Sequence, residues 1–129
     1  MVWVSAVVLV AVLQFMILGM AVGMARGRYH VAAPATSGHP TFERLFRVHQ
    51  NSLEMLIAFI PGIWLYGWWV SQTWATALGI VFVAARILYT FQYLQDPKSR
   101  TIGAMLSFLV ILILLVGDLY AVVELALSR

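Results

Sequence analysis

The chain alternates between long apolar runs and short polar connections, and this pattern predicts four membrane-spanning helices. The apolar runs cover about residues 2–25, 42–70, 74–94 and 97–127. Each run reaches the roughly 20 residues that cross the hydrocarbon core of a bilayer. The first run has no basic segment before it and is longer than the apolar part of a signal peptide. We therefore expect it to be a retained helix.

The connections indicate which side of the membrane each helix end faces. A long loop follows the first run, a very short turn follows the second, and the segment QDPKSR links the third run to the fourth. In that link Asp96 suits a helix N-cap and Pro97 the first helical position, which puts Arg100 in the first turn of helix 4. In an up-down-up-down bundle the first and third loops lie on one side, and the basic residues predict that this side faces the cytosol. These residues are Arg26, Arg28, Arg44, Arg47, Lys98 and Arg100.

Composition narrows the classes of function. Of the 129 residues, 63% are apolar and 10% are charged, and the mean hydropathy is +0.93. These values exclude a disordered chain and disfavour a water-soluble enzyme, and the length accommodates one domain, residues 1–129. The net charge is +3, but the basic residues are too scattered to form a nucleic-acid surface. There is no cysteine, so any sulfur chemistry must use the thiol of a ligand.

Polar side chains inside the second and third runs are the candidate functional residues, because ionisable groups within a membrane span are costly. Arg44, Arg47, Asn51 and Glu54 follow each other at intervals of three or four residues, so they share one face of helix 2. Helix 3 carries a similar stripe of Arg86, Tyr89 and Tyr93. Two polar stripes on neighbouring helices predict a polar cleft that opens toward the cytosolic side.

Structural roles could explain the same residues. Glu54 and Arg86 could form a buried ion pair that fixes the helix register, and the arginines of helix 2 could extend to lipid head groups. Arg100 could be an ordinary loop cation, and the two tyrosines could be interfacial. The three histidines lack metal-ligand spacing, so we expect no metal site.

Small residues on helix 1 predict close contact with another helix. Gly19, Gly23 and Gly27 recur every four residues and allow another helix to approach closely. That helix could belong to this chain or to a second subunit.

The polar segments resemble those of the membrane-associated proteins in eicosanoid and glutathione metabolism, the MAPEG family. The segment Phe42–Met55, FERLFRVHQNSLEM, matches the family pattern F-E-R-x-x-R-x-H/Q-x-N-x-x-E. The segment Ala85–Arg100, ARILYTFQYLQDPKSR, has its Arg, two Tyr and terminal Arg at family-like spacing. The resemblance extends over more than half of the chain.

The resemblance implies a four-helix protomer in a homotrimer, with glutathione bound between neighbouring protomers near the cytosolic face. The family pattern assigns two sets of glutathione-binding residues. One protomer supplies Arg47, Asn51, Glu54, Tyr89, Tyr93 and Arg100, and its neighbour supplies Arg26 and His49. The implied activity is conjugation of glutathione to lipophilic electrophiles, or reduction of lipid hydroperoxides. The alternative within the family is a non-enzymatic lipid-binding scaffold of the 5-lipoxygenase-activating type.

The residue chemistry fits this activity. Arginines bind carboxylates through charge-assisted hydrogen bonds, and Glu54 can receive an ammonium group. A free thiol has a pKa near 8.5, so only about 3% of it is thiolate at neutral pH. Arg100 combines its own charge with the positive end of helix 4, and we expect it to be the catalytic residue that stabilises the thiolate.

The chain departs from some relatives at three positions. Met55 stands where some have tyrosine, and Gly27 stands where leukotriene C synthase has a second arginine, which argues against that activity. Pro61 lies later than the corresponding proline of relatives, and we expect a kink there to reshape the acceptor end of the cleft.

Overall fold

The computed structural model describes residues Met1 to Arg129 and contains four long α-helices and no β-strand. The predicted all-helical bundle is confirmed. The helices are α1 (Val2–Tyr29), α2 (Pro40–Trp69), α3 (Gln72–Gln95) and α4 (Thr101–Leu127), and a single 3-10 turn, Pro97–Ser99, precedes α4.

The predicted helix bounds differ most, by four residues, at two places: α4 begins at Thr101 and not at residue 97, and α1 continues past Ala25 to Tyr29. The apolar pattern stops at the first charge, but basic residues suit the negative C-terminal end of a helix and do not end it. The helix ends where His30 adopts the left-handed conformation, with φ 56°, and the N–H of Val31 donates to the carbonyl of Arg26 over 3.0 Å.

Side-chain caps set the starts of the later helices. Nδ1 of His39 accepts from the N–H of Thr41 at the start of α2. The hydroxyl of Ser71 accepts from the N–H of Trp74 at the start of α3. Asp96 caps the 3-10 turn instead of α4, so Arg100 is the N-cap of α4 and not a residue of its first turn. The prediction that Arg100 lies in the first turn of helix 4 is therefore wrong, because Arg100 immediately precedes that turn.

The outer surface of the bundle indicates that lipid surrounds it. α1, α3 and α4 are long and apolar enough to cross a membrane, and at most a third of the residues in each span are buried within the chain. Most of their apolar side chains therefore face outward, as a lipid environment requires. α2 is less apolar than these three helices because charged side chains occupy its N-terminal half. The four helices form an integral membrane bundle.

The main core lies between all four helices. Phe59 of α2 stacks on Phe82 of α3, with ring centroids 3.8 Å apart, and Val4 of α1 and Leu114 of α4 are fully buried in the same cluster. α2 continues without interruption through Pro61 to Trp69.

Gly19 resolves part of the question left open for helix 1. A Cβ atom at this position would lie 3.1 Å from Nε2 of His49. The glycine therefore lets α1 pack closely on α2 within the chain. Gly23 and Gly27 have no atom within 4 Å of that position. For them, packing against a second subunit stays a prediction.

Candidate functional site

The C-terminal ends of α1 and α3 and the N-terminal ends of α2 and α4 meet at one end of the bundle. Nη1 of Arg44 donates to the carbonyl oxygens of Leu94 and Gln95 over 3.2 and 3.3 Å, which joins α2 to the last turn of α3. The N–H of Gly103 donates to Oε1 of Gln92 over 3.3 Å, which joins α4 to α3. These bonds fix the frame that holds the candidate side chains.

The α2 part of the site consists of Arg47, Asn51 and Glu54. Nη1 of Arg47 lies 3.4 Å from Oε1 of Glu54, and about half of each side chain is exposed. Oδ1 of Asn51 is buried and has no hydrogen-bond partner in the chain. The face therefore presents a cation, an anion and an amide acceptor within two helical turns.

The second part of the site comes from the end of α3 and the start of α4. The rings of Tyr89 and Tyr93 have centroids 5.6 Å apart, and the guanidinium carbon of Arg100 lies 5.9 Å from the centroid of Tyr93. Nη1 of Arg100 also donates to the carbonyl of Pro97 over 2.6 Å, while the rest of this exposed side chain remains accessible. The guanidinium is thereby positioned at the N-terminus of α4.

The two parts converge at Tyr89. This side chain is only 3% exposed and packs between Leu18 of α1 and Val48 of α2. Val48 directly follows Arg47 in α2, and Tyr93 lies next to both Tyr89 and Arg100. Tyr89, Tyr93 and Arg100 therefore lie together where α3 meets α4, beside the turn of α2 that carries Arg47, and Asn51 and Glu54 lie one and two turns further along α2.

Arg26 and His49 have different surroundings. Arg26 donates to the carbonyls of Val31 and Ala35 and lies 4.9 Å from the ring centroid of Phe42, so within this chain it holds the loop after α1. His49 stacks on Phe15 of α1 with centroids 4.5 Å apart. Neither joins the other six residues within one chain, and the resemblance assigns both to a neighbouring protomer.

The suggested ion pair between Glu54 and Arg86 does not form. Glu54 pairs with Arg47, while Nη2 of Arg86 donates to the hydroxyl of Ser52 over 3.1 Å inside the bundle. The reason is rotation around α2, because Ser52 faces the core and Glu54 faces outward.

The predicted polar cleft is an open face in a single chain. The larger cavities lie elsewhere. Mostly apolar grooves of 310 to 350 Å³ follow the outer junction of α1 and α3, and one of about 410 Å³ lies between the end of α2 at Trp69 and the end of α4. The lining of the grooves along α1 and α3 includes Trp3, Val10, Val83 and Ile87.

Three supporting residues were not singled out from the sequence. Ser52 and Gln92 are ordinary polar residues of helices, and no local pattern distinguishes a hydroxyl or an amide that will bond to another helix. Gln14 offered a signal, because it interrupts an uncharged apolar run, and it lines a small internal cavity with Arg86. A polar residue within such a run is a reason to search for a partner.

Comparison with known proteins adds independent information. The MAPEG family matches residues 4–120 of the chain. An uncharacterized protein of Synechocystis sp. is 39% identical over 120 residues, which cover 93% of this chain and 88% of that protein. Microsomal glutathione S-transferase 2 of Bos taurus is 42% identical over 97 residues, which are 75% of this chain and 66% of the bovine protein. The protein of the same name from Homo sapiens is 39% identical over 116 residues, 89% of this chain and 79% of the human protein.

Proposed function

The chain belongs to the MAPEG family, and from that premise we propose that it is a membrane-bound glutathione transferase with peroxidase capacity. It binds glutathione, stabilises the thiolate and directs it to a lipophilic electrophile or lipid hydroperoxide. The observation that carries this proposal is the exposed Arg47–Glu54 pair on the helix whose Val48 packs on Tyr89, with Tyr93 and Arg100 beside Tyr89 at the start of α4. Relatives named microsomal glutathione S-transferase 2 support the same activity.

The charges of the site suit the charges of glutathione. This tripeptide carries two carboxylates, one ammonium group and one thiol. Arg47 can bind a carboxylate through paired hydrogen bonds, and Glu54 can accept from the ammonium group. Asn51 has an acceptor oxygen without a partner, and the two tyrosines can donate hydrogen bonds from rings that pack on apolar surface.

The position of Arg100 supports a role in stabilising the thiolate. Its guanidinium lies beside the Tyr93 ring at the N-terminus of α4, where the backbone dipoles also favour a negative charge. Lowering the thiol pKa from about 8.5 to about 6.5 requires about 2.7 kcal/mol and makes most of the bound thiol a thiolate at pH 7. Attack on an electrophilic carbon forms a thioether and expels the leaving group. Attack on a peroxide oxygen breaks the O–O bond and forms an S–O bond, so an alcohol leaves after it takes up a proton, and the resulting sulfenic acid reacts with a second glutathione to give the disulfide and water.

We propose further that the working unit is a homotrimer and that this end of the bundle faces the cytosol. The open face at Arg47 and Glu54 supports the trimer, since a neighbouring protomer can close it and supply Arg26 and His49. The excess of basic residues at the same end supports the orientation. Lipophilic acceptors reach the site from the bilayer, where they concentrate.

An activity assay on purified protein in detergent tests the proposed function. The substrates are glutathione with a chlorinated nitroarene, and glutathione with an organic hydroperoxide. We expect turnover with the first and a measurable rate with the second. The control variant Lys98→Ala removes an exposed cation from the same linker and should retain the wild-type rate.

The same experiment separates an enzyme from a lipid-binding scaffold. The apolar grooves along α1 and α3 are a feature that such a scaffold also needs. A folded protein that shows no turnover with any electrophile, and no heat of glutathione binding in calorimetry, would contradict the enzyme and favour the scaffold.

A further inference from the structure

The N-terminal end of α4 is not capped by its own N-cap residue. The first α-helical bond of α4 runs from the N–H of Ala104 to the carbonyl of Arg100 over 3.0 Å, so the N–H of Gly103 has no partner within the helix. The side chain of an N-cap residue usually accepts from this third N–H. Arg100 occupies the N-cap and forms no such bond, because a guanidinium has only donors.

The N–H of Gly103 lies in a turn that α3 covers at close range. Gly103 is buried, and a Cβ atom on it would lie 2.6 Å from the backbone nitrogen of Tyr89 and 2.8 Å from its Cβ. A buried N–H without an acceptor is costly. This turn of α4 therefore needs an acceptor from a neighbouring element.

Gln92 of α3 supplies that acceptor. Its Oε1 accepts from the N–H of Gly103 over 3.3 Å. The hydroxyl of Ser99 lies within hydrogen-bond distance of the carbonyl oxygens of Gln92 and Asp96, at 2.9 and 2.8 Å. Gln92 thus contacts the chain on both sides of Arg100, at the residue before it and three residues after it.

The guanidinium of Arg100 has no hydrogen bond of its own to α3. Its Nη1 donates to the carbonyl of Pro97, within the linker, and its carbon lies 5.9 Å from the centroid of the Tyr93 ring. Gln92 directly precedes Tyr93 in α3. The distance from the guanidinium to the tyrosines is therefore set by the contacts that Gln92 and Gly103 make between the two helices.

We propose that Gln92 is a positioning residue, which caps α4 from α3 and thereby holds Arg100 at the thiol of bound glutathione. The proposal rests on the proposed function, because it concerns the same cation and the same thiol. Without the amide acceptor the first turn of α4 loosens from α3 and Arg100 moves with it. A guanidinium that moves from about 4 Å to about 6 Å from the sulfur should raise the pKa of the bound thiol by about 1.

Gln92→Met removes the acceptor and nearly keeps the length of the side chain, and two measurements on the full-length protein in detergent test it. Amide hydrogen exchange of the segment that contains Gly103 should become about tenfold faster, the effect of one hydrogen bond. The thiolate absorbance of bound glutathione, titrated against pH, should have its midpoint about 1 pH unit higher and return in full at high pH. A merely structural role would reduce the band at every pH.

Gln95→Met is the matched control, because Gln95 is an exposed residue of the same helix in which only the backbone carbonyl is bonded. It should leave both measurements unchanged. If Gln92→Met does not fold, Gln92→Asn takes its place. Its amide is one methylene too short to reach Gly103, so both measurements should move in the same direction.

The two measurements separate failure of this inference from failure of the proposed function. Unchanged exchange in the Gln92 variant, or faster exchange with an unchanged thiol pKa, would overturn the positioning role and leave the proposed function intact. A wild type that binds glutathione without any thiolate band would contradict the proposed function and the positioning role together, while the exchange rates would still report whether Gln92 caps α4.

Discussion

Arg47 and Glu54 are opposite charges on one exposed face of α2, and their contact is too open to stabilise the fold by much. Both side chains are about half exposed and 3.4 Å apart, and such pairs contribute about 0–1 kcal/mol. Both side chains are accessible to a ligand, and each can exchange its present partner for a charged group of that ligand.

Glu54→Gln therefore acts on binding more than on folding. We expect the KM for glutathione to rise about 10- to 100-fold, because one charge-assisted hydrogen bond to the ammonium group is lost. The melting temperature should stay close to that of the wild type. Steady-state kinetics at varied glutathione concentration provide the measurement.

Glu43→Gln is the matched control for this change. Glu43 lies in the first turn of α2, is exposed and forms no ion pair. The same rise in KM for both variants would show that net charge, and not Glu54 itself, governs the binding of glutathione.

The sequence predicts candidate side chains of this kind better than their supports. The spacing of Arg47, Asn51 and Glu54 is sufficient to place them on one helical face. The bond from Arg86 to Ser52 could not be predicted, because it depends on how α2 and α3 are rotated against each other. A polar spacing pattern gives the face of one helix and not its partner on the next.

The start of α4 is placed by a close approach to α3. A Cβ atom at Gly103 would lie 2.6 Å from the backbone nitrogen of Tyr89, and a backbone atom cannot move aside as a flexible side chain can. This contact carries Arg100 toward the tyrosines, since Arg100 precedes Gly103 by one helical turn.

Gly103→Ala should separate the two helices. We expect it to lower stability by about 1–3 kcal/mol, as for an overpacked core, and to reduce activity at saturating glutathione. Thermal unfolding in detergent and turnover measure the two effects. Ile102→Ala changes a neighbouring side chain that is 60% exposed and should alter both much less. Equal effects of the two substitutions would contradict this account of the packing.

The short turn between α2 and α3 depends on one hydroxyl. Ser71 caps α3 by accepting from the N–H of Trp74 over 3.3 Å. Ser71→Ala should cost about 1 kcal/mol of stability, and Ser71→Asp should retain most of it, because aspartate is also a good cap. Unfolding in detergent measures the stability of both variants against the wild type. A loss in Ser71→Asp as large as that in Ser71→Ala would argue against capping.

The apolar runs predict the four-helix architecture of the whole molecule, but they do not predict what its outer surface contacts. Hydropathy predicts the number, order and approximate length of the helices. It does not predict the end of α1, because the apolar run stops at Arg26 while the helix continues to Tyr29. The proposed closure of the site at Arg47 and Glu54 by a neighbouring protomer could not be predicted from periodicity, because a single chain leaves both side chains about half exposed.

The orientation of the molecule can be tested because the chain has no cysteine of its own. Ser37→Cys places a thiol in the loop after α1, and Ser128→Cys places one at the opposite end. In intact cells a membrane-impermeant maleimide should label Cys at position 128 and not at position 37, as the positive-inside rule requires. The reverse pattern would invert the proposed topology.

The most direct test of the proposed activity is the ultraviolet absorbance of glutathione bound to the purified protein at pH 7. The wild type should show a thiolate band on titration with glutathione. Arg100→Ala should bind glutathione with similar affinity in calorimetry but lose the band, because the cation at the start of α4 is gone. A band of unchanged size in Arg100→Ala, or none in the wild type despite measured binding, would contradict the assignment of Arg100.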